Sequence, residues 1–333
     1  MGRGLSYKEA AARARTHADR FRQDRYSSHG QLVADWVELF APVVFAKLGP
    51  AAWPISDSLV LDHLPFRIPA VNASGEAIPA GVVAFDIMAA MGYENHRARI
   101  WLLGASPTAL TDDWLAFLNR LPGEVERVVT DGHGGTISGA RRRWPAALTW
   151  RSEWHISKAI QKLLSQDKVP ETDPAWNLRG IYDSAADWKA YVALIEAAPA
   201  PRLRRWLKRY GSDLANQVAL RPNPVRDGTP LTTGGLEHLL EPIKVAINPR
   251  KQAFTNRRRL DRLLMLMQLE LNRRADELVY AKVISDWLSA NQLPDKRPGT
   301  APLLRRSVAD HGGSSLPSPQ SVLARKQNRL IHR

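Results

Sequence analysis

The chain of 333 residues is 44% apolar and 24% charged, enough for about two domains and a sizeable core, which excludes collagenous and wholly disordered classes. Its 47 Lys and Arg against 33 Asp and Glu leave a net +14. Folding does not require that excess, so it points to an anionic partner, nucleic acid first. Cysteine is absent, so there is no disulfide, thiol nucleophile or cysteine-based zinc site.

Tyr7–Arg25 is rich in Ala and Arg and reads as a helix. After a Ser-Ser-His-Gly break, 31–45 repeats Leu32, Trp36, Phe40 and Val43 at helical spacing. The pair is either an amphipathic helical hairpin or an incomplete helix-turn-helix. Strands are then expected over 58–64, 81–88 and 99–103. A helix over 111–121 follows, capped by Thr111 or Asp112. A strand over 126–130 ends in Asp131, a basic helix covers 136–144, and a last strand covers 147–154. Three strands, then helix, strand, helix, strand, is a mixed α/β order.

The next stretch, 156–230, reads as helical and tryptophan-bearing. Its segment Arg202 to Arg221 holds six basic residues and one acid, Asp213. With Trp206 and Tyr210 interleaved, that segment is expected to track phosphates or to be a solvated helix face. A helix opened by Gly234-Gly235 carries Glu237, and Pro242 should kink or end it early. A helix over 257–272 presents Leu260, Leu263, Leu264, Met267 and Leu271 on one face. From Lys296 onward the chain is basic and Pro/Ser-rich, the composition of a disordered tail.

Two chemistries compete around Asp131. Gly132-His133-Gly134-Gly135 joins a strand to a helix, as in dinucleotide sites, but Ile137 stands where the third glycine belongs. The alternative is a divalent-metal site, because phosphodiester chemistry recruits carboxylates from separate elements. Asp62 ends the first strand and Asp131 the fourth; were those strands neighbours, both acids would reach one sheet edge. Glu237 is available as a third. Asp86, one strand over, ranks behind Asp62.

These residues resemble the bacterial DDE transposases of the Mutator-like insertion-sequence group. The resemblance is carried by Leu59-Val60-Leu61-Asp62, Pro65-Phe66-Arg67, Ala84-Phe85-Asp86-Ile87 and Val128-Val129-Thr130-Asp131-Gly132. It continues through Trp154-His155, Thr232-Thr233-Gly234-Gly235-Leu236-Glu237 and Phe254-Thr255-Asn256-Arg257, and covers about residues 55–275. It implies a ribonuclease-H-like mixed five-stranded sheet with an all-helical insertion before the last catalytic helix. The implied division is 1–52, a helical segment with a partial helix-turn-helix; 53–155, first part of the core; 156–230, the insertion; 231–290, the rest of the core with the catalytic helix; and 291–333, the basic tail.

The implied activity is metal-dependent cleavage and strand transfer of an insertion sequence. Asp62, Asp131 and Glu237 would be the catalytic acids and the ligands of two Mg2+ or Mn2+ ions. His155 takes the place of the histidine in the family's Cys-x-x-His-like motif, whose cysteine has no counterpart here. The implied partners are double-stranded DNA (element ends and target) and further copies of the chain on DNA. No run reaches the length of a membrane span, and the absence of cysteine fits a reducing compartment, so the expected location is the bacterial cytoplasm at the nucleoid. Because relatives carry further upstream modules, the chain is expected to start inside or after them. The alternative functions are a degenerate transposase that only binds DNA and, from the glycine turn, a nucleotide-dependent oxidoreductase.

Overall fold

A computed structural model describes residues 31–49, 56–79, 81–94, 97–221, 230–247, 256–274 and 276–291. The expected helix over 7–25, the basic tail beyond 291 and Phe254-Thr255 lie outside the described residues. The chain divides into two compact units, the first ending at Ile284. The only described part of the second is 285–291, the end of the last helix and the residue after it.

Chain order is α1 (Gln31–Leu48), β1 (Ser58–Ile68), β2 (Val82–Glu94), β3 (Arg97–Ser106), α2 (Thr111–Leu118), β4 (Arg127–Thr130), α3 (Gly134–Arg143) and β5 (Leu148–Arg151). Then come α4 (Glu153–Gln166), a 3-10 turn (Pro174–Trp176), α5 (Ala185–Ala197), α6 (Pro201–Ala219), α7 (Gly234–Ile247), α8 (Arg257–Leu271) and α9 (Glu277–Ala290). The strands form one sheet in the order β3-β2-β1-β4-β5. β1 runs antiparallel to β2 and β2 to β3, while β1 with β4 and β4 with β5 are parallel. This is a mixed five-stranded α/β sheet with helices packed on both faces, the fold class expected from the sequence.

Alternation along β1 sorts the core. Val60 packs with Leu236, Leu240 and Ile243 of α7 and with Leu260, Leu263 and Leu264 of α8. Leu59 and Leu61 face Trp114 and Leu118 of α2 and Ala140 of α3. A third cluster, including Ile160, Trp188, Ile195 and Leu203, joins α4, α5 and α6 to one another.

Side-chain amides cover both sheet edges. On β3, Leu103 N donates to Gln268 Oε1 at 3.0 Å, while Gln268 Nε2 donates to the Ile100 and Trp101 carbonyls. Asn272 bonds Ile100 through both its amide atoms, and Ala105 N donates to Asp261 Oδ1. On β5, Gln217 of α6 accepts from Arg151 N and donates to Arg151 O. The edges thus present no unpaired ladder there to another chain. Gln268→Leu keeps the volume but orphans a buried amide and weakens two carbonyls, so it should cost about 2–4 kcal/mol of stability in urea unfolding.

Four expectations are corrected. The helix over 31–45 forms, but Ala34, Val37, Ala41 and Val44 are buried while Trp36 is 52% exposed. Small residues permit close approach to α8, and the larger ones fall outside that stripe. α2 begins at Thr111, with Leu110 as N-cap and no side-chain cap bond. β5 stops at Arg151, where Gln217 occupies its backbone, so Trp154 and His155 lie in α4 and not in a strand. Finally, α7 continues through Pro242 to Ile247. Ile243, Ala246 and Ile247 are buried beyond an exposed Pro242, and this packing outweighs the missing hydrogen bond, a loss of about 3 kcal/mol.

Candidate functional site

The β1–β4 pairing brings two carboxylates together. Its register ends at Leu61 opposite Thr130, so Asp62 and Asp131 are the first residues past it on adjacent parallel strands. Gly132 has φ +94, a conformation glycine takes without strain. That turn lets His133 N donate to Asp131 Oδ1 at 2.8 Å, and Gly132 N donates to Thr130 Oγ1 at 3.0 Å. Gly135 has a packing role, because a Cβ there would meet Ala109 O at 2.3 Å.

Asp62 Oδ1 accepts from His63 N at 2.7 Å. Burial pushes the Asp62 carboxyl up to about 7; the His63 amide opposes this, the Asp131 and Glu237 charges add to it, and Lys244 opposes it. Those acids are therefore coupled through space, although they come from β1, the turn after β4, and α7. Asp62, His63 and Asp131 each offer one ligand atom within 4.8 Å of the others. Ligand atoms lie about 2.0–2.6 Å from a hard divalent ion, so slight closure would allow these three to share one. The two carboxylates are the donors such an ion prefers.

Glu237 does not belong to that group of three. It is set from behind: Thr233 Oγ1 donates to Glu237 Oε1 at 2.8 Å, and His155 Nε2 lies 3.8 Å from the same oxygen. His155 Nδ1 is 3.2 Å from Thr233 Oγ1, and Thr233 N donates to the buried Ser152 Oγ at 3.2 Å. Ser152 stands three residues before His155. The cysteine-less sequence suggested that the partner of His155 was lost; a serine hydroxyl stands there and joins α4 to the start of α7 through Thr233. Asp86 is set three residues along β2 from Ala89, the partner of Asp62, and is outside the group of three.

Sequence reasoning missed His63. Burial pushes its imidazole down, Asp131 and Asp86 pull it up, and His133 adds a smaller downward push. Its ring lies 5.0 Å from that of His133 and meets Trp114 edge-on at 6.3 Å. The signal was its place beside Asp62 where the apolar run stops; against expectation, β1 continues through both residues to Ile68, so Asp62 does not end the strand.

On α6, Leu203, Leu207 and Leu214 are buried, while Arg204, Arg205, Lys208 and Arg209 are exposed. Trp206 and Tyr210 pack against the helical cluster, and Arg151 lies over the Tyr210 ring at 4.4 Å. Those aromatics therefore serve the core, while of the exposed bases Arg204 donates to the Glu196 carbonyl at 3.1 Å and Arg209 lies over the Tyr210 ring at 5.1 Å. No described helix is long and apolar enough to cross a membrane.

No family model and no curated protein matches the chain. Among solved structures it is similar to the Drosophila P element transposase strand transfer complex. The identity is 11%, over 91% of this chain and 90% of that one, with a TM-score of 0.27. At that score the overlap transfers neither residues nor activity.

Proposed function

We propose that the chain is a DDE-type transposase resembling the Mutator-like insertion-sequence group, catalysing divalent-metal-dependent cleavage and strand transfer of DNA. The observation that carries this reading is geometric: Asp62 of β1 and Asp131 after β4 bring ligand atoms, with that of His63, within 4.8 Å of one another at one point of the five-stranded sheet. In it, Asp62, Asp131 and Glu237 hold two Mg2+ or Mn2+ ions. Such ions would lower the pKa of an attacking water, or of a DNA 3′-hydroxyl, and stabilise the departing oxygen.

The protein's own residues supply position. Asp62 is the shared acid in this reading, with Asp131 beside it and Glu237 reaching the site from α7. Thr233 and His155 fix the Glu237 carboxylate, and Ser152 anchors Thr233. The exposed bases of α6 and the overall +14 hold the phosphate backbone of double-stranded DNA. In this reading 156–230 is an insertion between the second acid and the third, and several copies act together on DNA.

The test is nicking of supercoiled DNA by the full chain with Mg2+, with Mn2+ and with chelator. Metal-dependent nicking that needs all three acids supports the reading; nicking indifferent to them removes it. Neutralising Arg204, Arg205, Lys208 and Arg209 together should reduce the slope of log affinity against log salt by about 0.9 for each phosphate that the variant no longer neutralises. Filter binding over a salt series measures that slope.

A further inference from the structure

We propose that His63 is the third ligand of an ion position shared with Asp62 and Asp131, and that its imidazole makes this position favour Mn2+ over Mg2+. This rests on the reading of Asp62 and Asp131 as metal ligands. Adjacent residues of a strand point to opposite faces, and β1 obeys that rule up to Leu61. Asp62 feels Glu237 of α7, on the face that Val60 occupies, whereas His63 meets Trp114 of α2, on the face of Leu61. Such neighbours converge on one point only beside a gap in the sheet. The gap is there: β4 pairing stops at Leu61 opposite Thr130, and Asp131 is the first residue past it, with a ligand atom within 4.8 Å of those of Asp62 and His63.

The second observation is an unmet need at the imidazole. His63 Nδ1 is buried without a hydrogen-bond partner, which costs free energy unless something binds the ring. The ligand atoms of His63, Asp62 and Asp131 nevertheless lie within 4.8 Å of one another. His133, the other imidazole nearby, is exposed and is tied to Asp131 by its backbone rather than by its ring.

The chemical consequence follows from donor type. Mg2+ demands oxygen ligands in near-ideal octahedral geometry and gives up water reluctantly, whereas an imidazole nitrogen suits later, softer ions better. Replacing one oxygen by a nitrogen therefore shifts preference toward Mn2+. A position built from Asp62 and Glu237 would keep oxygen donors alone, so the two ions would differ in kind.

The experiment is pulsed electron paramagnetic resonance of Mn2+ on the full, tag-free chain, with parallel calorimetric titration by Mn2+ and by Mg2+. Expected is a nitrogen coupling on bound Mn2+ that changes on 15N-histidine labelling and persists in His133→Ala. In His63→Gln the coupling should vanish and Mn2+ affinity should fall by about 10-fold or more, the scale at which metal-site partners act, with Mg2+ affinity changed much less. If His63→Gln fails to fold, the labelled wild-type chain and His133→Ala decide alone. Mn2+ binding that needs Asp62 and Asp131 but shows no histidine coupling overturns the role of His63 and leaves the acids standing. A coupling lost in His133→Ala also overturns it. Mn2+ binding unchanged in Asp62→Asn and Asp131→Asn overturns both readings at once.

Discussion

Asp131→Ala is expected to lower metal-dependent nicking more than about 100-fold while leaving the fold intact. Loss of a mere outer-shell partner costs a metal site about 10–100-fold in affinity or activity, and Asp131 in this reading touches the ion itself. The fold should survive because Asp131 lies beyond β4, is half-exposed, and among the described residues its side chain accepts only from the His133 amide. Removing it also relieves repulsion on Asp62. Asp86→Ala is the matched control. It deletes an acid from the neighbouring strand outside the group of three and should leave nicking largely unchanged. Equal losses from both variants, or circular dichroism showing that Asp131→Ala is unfolded, would remove the assignment.

The sheet was readable because each strand carries its own signal. Val60 and Leu61 are both fully buried on a central strand, so β1 reads as an unbroken apolar run that stops at a carboxylate. The face of α8 was readable for the same reason, since Leu260, Leu263 and Leu264 recur at helical spacing. What escaped was set by partners far away in the chain. Gln268 and Asn272 sit on an otherwise apolar helix face, and only β3, some 165 residues earlier in the chain, explains their amides. The end of β5 is set by Gln217, 66 residues further on. α1 misled for another reason: periodicity in the largest side chains marked Trp36, whereas burial followed the smallest.

At the site, the acids were picked out by position alone, as carboxylates closing apolar runs or opening a helix. Their relation was not, because neighbourhood of β1 and β4 is a fact of topology. His63 escaped because alternation predicts that it points away from Asp62. Ser152 escaped because it was read as part of the strand over 147–154, and only Thr233, 81 residues later, shows what its hydroxyl bonds.

Titration gives the second large effect. An unfolded chain ionises Asp62 at its ordinary value near 3.8, whereas the folded chain holds the proton to about 7. Between those values the native state binds more protons than the unfolded state, so stability falls as pH rises. The stabilisation is complete below pH 3.8 and lost once pH passes about 7. Each pH unit inside that window costs up to about 1.4 kcal/mol, and roughly 4 kcal/mol is the ceiling across it. Urea unfolding of the metal-free chain at about pH 5, 6, 7 and 8 should therefore show a declining midpoint that levels off above about 7. Asp62→Asn keeps the shape without the charge and should flatten that decline. Mn2+ should restore stability chiefly at the upper end, where the carboxylate is ionised and ready to bind, by about 2.7 kcal/mol at 100 times its dissociation constant. A wild-type midpoint that tracks Asp62→Asn at every pH would show that Asp62 titrates normally, and with that the burial of its carboxyl among neighbouring acids would be gone.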